Sequence, residues 1–243
     1  MLDKLKEEVF KANLELVKEG LVIRTWGNAS GIDREEGLVV IKPSGVPYEQ
    51  MEAQQMVVVA LESGQVIEGG LKPSSDTPTH LELYRAFQGI GGIVHTHSLF
   101  ATAWAQTGRE LPALGTTHAD YFCGPVPCTR LLKPGEIRSD YEANTGRVIV
   151  ETFAGRDPLC CPAVLVAGHG PFAWGKTVAA AVENAAVLEH LARLAGETLR
   201  IFPSVRPMQR VLMEKHFLRK HGPGAYYGQG PAAKTDGNRH NKQ

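Results

Sequence analysis

The stretch "GGIVHTHSLF", residues 91–100, is where a reading of this chain begins. An apolar run ends in two histidines separated by one threonine. A strand alternates its side chains between two faces, so residues i and i+2 point the same way. Read as strand over 93–97, the stretch sends His95 and His97 to one face, where two imidazoles can converge on one ion. The pair alone fits ligation and core packing equally well, so its partners must be sought elsewhere in the chain.

Working outward, residues 98–107 suit a helix. Upstream, "KPSSDTPTHLELYRAF" (72–87) reads as a loop and then a helix starting near Pro78, with Asp76 or Thr77 as its cap. "MVVVALESGQVIEG" (56–69) predicts a hairpin turning at "ESG", and "GLVVIKPSG" (37–45) a strand stopped by Pro43 and Gly45. "LVIRT" (21–25) predicts another strand, and "WGNASG" (26–31) a polar turn. Residues 3–19 form an amphipathic helix ended by Gly20.

Downstream, "LPALGTTHADYFCGPVPCT" (111–129) reads as short loops and edge strands, and "IRSDYEANTGRVIVETF" (137–153) as a helix turning into a strand. "AVLVAGHGPFAWG" (163–175) predicts a buried strand followed by a glycine-rich loop. The alanine-rich segment 177–199 is the most helical of all. Pro203 and Pro207 bracket a loop, and a last helix covers "MQRVLMEKHFLRKHG" (208–222). Residues 230–243 lack apolar periodicity and predict a disordered tail.

The 243 residues suit one large domain mixing helix and strand, and the 43 % hydrophobic share is that of a globular chain. Lys plus Arg and Asp plus Glu number 26 each, so no basic excess points to nucleic acid or an anionic membrane. The charged N-terminus lacks the apolar core of a signal peptide, and no run approaches the ~20 apolar residues of a membrane span. The expectation is a soluble cytoplasmic protein. Cys123, Cys128, Cys160 and Cys161 form no C-x-x-C knuckle and read as reduced and structural.

Candidate chemistry starts from His95 and His97. His169, between two glycines at the end of a predicted buried strand, is sterically open, and Asp76 lies at a helix start. Together they would make a three-histidine site with one carboxylate. Zinc suits such a set, and manganese or another divalent ion also fits. Spacing alone leaves His80, His118, His190, His216, His221 and His240 as open as these, and an N-cap role would account for Asp76. The loops "WGN", "KPSG" and "KPSSDT" offer Ser44, Gly45, Ser74 and Ser75, with Lys42 alongside, to an anion; ordinary turns would use the same residues. Neither a Walker nor a dinucleotide fingerprint occurs. Asp120 and the Tyr226–Tyr227 pair are candidate acids and bases. Trp26, Trp104 and Trp174 read as core or interface.

At family level, "TWGNAS", "IKPSGV", "KPSSDTPTH", "GGIVHTHS", "GTTHADYF", "GHGPFAWG", "KHFLRKHG" and "AYYGQ" occur in an order that resembles the L-ribulose-5-phosphate 4-epimerases of the class II aldolase/epimerase superfamily. The likeness runs over residues 1–229. It implies an α/β fold: a single three-layer α/β/α domain around a mainly antiparallel central sheet. It also implies a homotetramer with active sites at subunit interfaces, acting on a sugar phosphate in arabinose or ascorbate catabolism. The family's metal pattern falls on Asp76, His95, His97 and His169. Its substrate loops fall on Gly27, Asn28, Lys42, Ser44, Gly45, Ser74 and Ser75, its acid/base pair on Asp120 and, across the interface, Tyr227, and its substrate contacts from a neighbouring subunit on His216 and Arg219. The loop "AGRDPLCCP" (154–162) is shorter than the family's pattern.

The activity so implied interconverts L-ribulose 5-phosphate and D-xylulose 5-phosphate. C4 is not acidic, so inversion there calls for retro-aldol cleavage of C3–C4, rotation of the tethered glycolaldehyde phosphate and re-formation of the bond. A sugar-phosphate aldolase of the same superfamily is the alternative, although a glutamate tends to stand there where this chain has Asp76. A non-catalytic sugar-phosphate or metal-binding protein would keep the loops without needing Asp120 and Tyr227.

Overall fold

The computed structural model describes residues 2–227, so the expected tail at 230–243 lies outside the described residues. Seven strands form one sheet: β1 (Asn28–Asp33), β2 (Leu38–Ile41), β3 (Val57–Ala60), β4 (Val66–Glu68), β5 (Gly92–His95), β6 (Ala163–Leu165) and β7 (Pro171–Gly175). Their order is β4-β3-β2-β1-β5-β7-β6, and every neighbouring pair is antiparallel. Eight α-helices accompany them among the described residues: α1 (Asp3–Lys18), α2 (Thr77–Ala86), α3 (Leu99–Thr107), α4 (Thr116–Ala119), α5 (Pro134–Arg138), α6 (Tyr141–Thr152), α7 (Val178–Ile201) and α8 (Arg210–His221).

Period-two alternation along β1 explains the layers. Gly31 faces α1 and α7; a Cβ there would lie 2.8 Å from Leu5 and 2.7 Å from Val178. Ser30 faces the other way and bonds to His80 and Tyr84 of α2. Gly31 is in register with Gly92, and Gly92 with Gly175. At Gly92 a Cβ would come within 2.4 Å of the Val178 backbone, and at Gly175 within 2.7 Å of Ala180. This row of three glycines across β1, β5 and β7 is the seat on which the start of α7 rests. Alanine at Gly92 would push backbone against backbone. α6 packs behind α2, with Gly146 against Glu82 and Thr79. The result is the three-layer arrangement implied by the motifs.

Between α2, α6 and the sheet lies an aromatic cluster. Trp174 is fully buried, 5.2 Å from the Phe87 ring and 5.0 Å from Phe153, and its indole N–H donates to Pro158 O at 2.8 Å. Each such side chain contributes ~1.5–3 kcal/mol through burial.

Four local expectations are corrected. Residues 21–25 are not strand: Leu21 is buried, Arg24 turns the chain at φ 55°, and Val22 packs where a Gly27 Cβ would sit. "NASG" instead opens the central strand β1, because its small residues fit beneath α1 and α7. "RVIV" stays helical in α6, burying Thr145, Gly146, Val148 and Ile149 at i, i+3 and i+4 spacing. "PFAWG" is the strand β7 rather than a loop, buried at all five positions.

Candidate metal and substrate site

The strand β5 ends at His95, two residues before His97. Even so, the two rings lie 4.9 Å apart, and both reach His169 on the turn between β6 and β7, at 4.8 Å and 5.0 Å. The three imidazoles offer nitrogens that all lie within 4.8 Å of one another, the one cluster of this kind among the described residues. His95 stacks on Phe172 at 4.1 Å, which fixes its plane. Its Nδ1 is 2.9 Å from Pro171 O, an acceptor only, so Nδ1 carries the proton and Nε2 presents its lone pair. That Nε2 stands 3.2 Å from His97 Nε2. Tyr141 Oη approaches His169 Nδ1 at 3.4 Å.

Burial disfavours charge on His97 and His169. It lowers the pKa of His97 and, assisted by His95 and His97, brings His169 down to about 4. Three converging imidazoles, one of them oriented by a backbone carbonyl, fit a divalent cation of the zinc or manganese type.

Asp76 lines the same cavity without joining the three-nitrogen group. It sits at the N-cap of α2 but makes no capping hydrogen bond, so capping does not account for it. Its Oδ2 accepts from Asn28 Nδ2 at 2.7 Å. Burial opposes its charge, yet His95, His80, Asn28 and His169 hold its pKa below the ordinary carboxylate value. Asn28 Nδ2 also donates to Ser74 Oγ at 3.1 Å, while Asn28 Oδ1 is buried with no partner. An orphaned acceptor beside the cluster is suited to a ligand hydroxyl.

The predicted loops gather here. Gly27, Asn28, Lys42, Ser44, Gly45, Ser74, Ser75, Asp76, His95, His97 and His169 line one cavity of about 510 Å³, a volume that admits a small sugar phosphate. Pro43 and Pro73 bridge the two serine loops, and each loop lends an N–H to the other: Ser44 N to Lys72 O at 2.9 Å, Ser74 N to Lys42 O at 3.0 Å. Gly27 is required as glycine: φ is 79°, and a Cβ would meet His95 O at 2.9 Å. Lys42 is buried, and its ammonium turns back to Pro43 O and Val46 O over the face of Tyr48. Burial lowers its pKa.

Sequence reasoning missed Tyr48, Tyr141 and Glu142. Tyr48 Oη donates to both Trp26 O and Gly27 O at 2.9 Å, tying the "WGN" loop to the "KPSG" loop. Tyr141 and Glu142, at the start of α6, line the cavity. Nothing local in the sequence marks any of them. Trp26, expected in a core or interface, is half exposed at the cavity edge, 6.2 Å from the His97 ring. His118 is fixed structurally, donating from Nε2 to Gly124 O at 2.7 Å.

Asp120, His216, Arg219 and Tyr227 assemble elsewhere, and none lines that cavity. Arg219 holds both Asp120 oxygens, at 2.8 and 3.0 Å from Nη2, and His216 Nδ1 approaches at 3.1 Å. Burial pushes the Asp120 pKa up, but Arg219, His216 and Lys220 outweigh it and keep the carboxylate ionised. Tyr227 lies with its ring 4.8 Å from the Arg219 guanidinium.

The sequence profile described as "Class II Aldolase and Adducin N-terminal domain" matches residues 7–195. The chain belongs to this class II aldolase family. Among solved structures of the same fold, an L-fuculose 1-phosphate aldolase is 28% identical, with a TM-score of 0.74, covering 88% of this chain and 94% of that one. YgbL of Klebsiella pneumoniae is 26% identical, with a TM-score of 0.68, covering 88% and 99%. L-fuculose-1-phosphate aldolase from Thermus thermophilus, at 23% identity and a TM-score of 0.63 over 85% and 99%, shares the fold. The profile spans the sheet, the three histidines and most of α7, whereas α8, with His216 and Arg219, lies beyond it. No helix among the described residues is long and apolar enough to cross a membrane.

Proposed function

We propose that this class II aldolase-family chain is a divalent-metal-dependent L-ribulose-5-phosphate 4-epimerase. The observation that carries the reading is the convergence of His95, His97 and His169 in one cavity with Asp76, Asn28 and both serine loops. In this reading the three histidines and Asp76 hold the ion, zinc by first choice. The ion supplies Lewis-acid stabilisation of the negative charge that C3–C4 cleavage develops.

The chain's own groups do the rest. Asn28 Oδ1 takes a substrate hydroxyl. Gly27, Ser44, Gly45, Ser74 and Ser75 hold the phosphate, so that the cleaved fragment turns without leaving. Lys42 keeps the loop between them in shape, since its ammonium is spent on carbonyls of that loop. Asp120 and Tyr227 move the protons, one for each face of the aldehyde. In a single chain they stand apart from the cavity, which supports a homotetramer whose sites are completed by a neighbour's Asp120, Tyr227, His216 and Arg219.

A sugar-phosphate aldolase is the second reading, favoured by the likeness to an L-fuculose 1-phosphate aldolase. Asp76 favours the epimerase, because its shorter side chain suits ligation better than proton abstraction. The test is a product assay with L-ribulose 5-phosphate after metal reconstitution. D-xylulose 5-phosphate is the expected product. Free dihydroxyacetone and glycolaldehyde phosphate would establish the aldolase. No turnover of any pentulose phosphate by metal-loaded protein would leave a binding protein.

A further inference from the structure

The loop at 154–162 and the turn after Asp120 carry a thiol pair that the site does not use. Cys123 N–H donates to Cys160 O at 2.9 Å, so the two segments meet at these residues. That bond brings the two Cα atoms close to the ~4.4–6.8 Å range that a disulfide spans. The two side chains are close enough to influence each other, and both residues are half-buried, within reach of a small oxidant. Cys161 differs: it is buried, with Sγ 3.8 Å from Pro125 O and 3.9 Å from Ala163 O. It is also a poor partner for Cys160, because adjacent Cα atoms lie only ~3.8 Å apart.

We propose that Cys123 and Cys160 are a modification site, forming an intramolecular disulfide when the protein meets a peroxide. The cross-link joins the turn carrying Asp120 to the 154–162 loop. Burial and the neighbouring Cys160 raise the Cys123 pKa, so Cys123 keeps its proton and serves as the resolving thiol. The Cys160 sulfur attacks one peroxide oxygen, the O–O bond breaks, and the hydroxide released takes up the thiol proton, giving a sulfenic acid and one water. Cys123 sulfur then attacks Cys160 sulfur and displaces hydroxide, which takes the Cys123 proton and leaves as the second water. Two electrons pass from the thiols to the peroxide. This inference is independent of the substrate assigned above.

The test treats the full chain with hydrogen peroxide, alkylates free thiols and maps non-reduced peptides by mass spectrometry. A Cys123–Cys160 linked peptide is expected, with Cys128 and Cys161 alkylated after unfolding and the link reversed by dithiothreitol. Cys128→Ser should form the link as the unaltered chain does, and Cys160→Ser should abolish it. The oxidised chain should also melt higher than the reduced one, because the link constrains the unfolded ensemble. A Cys160–Cys161 link, links only between chains, or Cys160 carried to sulfinic acid while Cys123 remains alkylatable would each overturn the proposal.

Discussion

The histidine cavity and the Asp120 cluster are built in opposite ways. The cavity is assembled by the interior: His95 ends a central strand, Phe172 of the next strand stacks beneath it, and Tyr48 ties two loops across the front. The Asp120 cluster is assembled by α8, a helix with no buried residue, held through Arg219, His216 and Lys220. A group seated on the core has its geometry fixed by packing. A group held by partly covered ion pairs on a helix without buried residues depends on what packs over that helix. In the proposed function, the reacting parts are divided between a half seated on the core and a half that a neighbouring subunit would supply.

The largest effect should come from the half seated on the core. His97→Asn should lower metal affinity by at least about 100-fold and abolish turnover, with far-UV circular dichroism unchanged. Full metal content in that variant would remove His97 from the ion's ligands. Asp120→Asn should keep the metal and lose about 10²–10⁴ in kcat. The division itself is tested by co-assembling these two inactive variants after mild dissociation. If sites combine one chain's histidines with another's Asp120, mixed assemblies regain activity; if both halves act within one chain, none returns.

Smaller effects probe the support. Tyr48→Phe removes the donor to Trp26 O and Gly27 O, which should cost about 1–3 kcal/mol in urea unfolding and raise KM more than it lowers kcat. An unchanged KM would separate the loops from substrate binding. Acid should act gradually. His80 is fully buried, and burial depresses its pKa to about 3, although Asp76 pulls the other way. The unfolded imidazole takes its proton near pH 6.5 while the folded one does not, so stability falls as pH drops below ~6.5. The expected slope is at most about 1.4 kcal/mol per pH unit for this residue, and His80→Gln should flatten it in pH-dependent denaturation curves. An equal slope in that variant would assign the acid loss elsewhere.

Legibility followed the range of the signals. α1, α2, α7, α8 and the β3–β4 hairpin were readable because amphipathic period, Pro78 and the "ESG" turn are local. "WGNASG" and "PFAWG" were misread as a turn and a loop, since their small residues are the usual marks of both. They are central strands because Gly31, Gly92 and Gly175 must lie under α7, a demand set by residues far along the chain. "RVIV" carries β-branched residues but stays helical because α2 covers its buried stripe.

The sequence by itself determined the residue types and their order: H-x-H after an apolar run, His169 between glycines, serine loops after prolines, and an ordered set of motifs pointing to one superfamily. The tertiary structure decided that three of the eight histidines among the described residues meet, that Asp76 faces Asn28 rather than its helix end, and that Lys42 is committed to its own loop. Spacing constrains only neighbours along a strand or helix. Convergence of positions 76, 95 and 169 is set by sheet register and by the packing that fixes it.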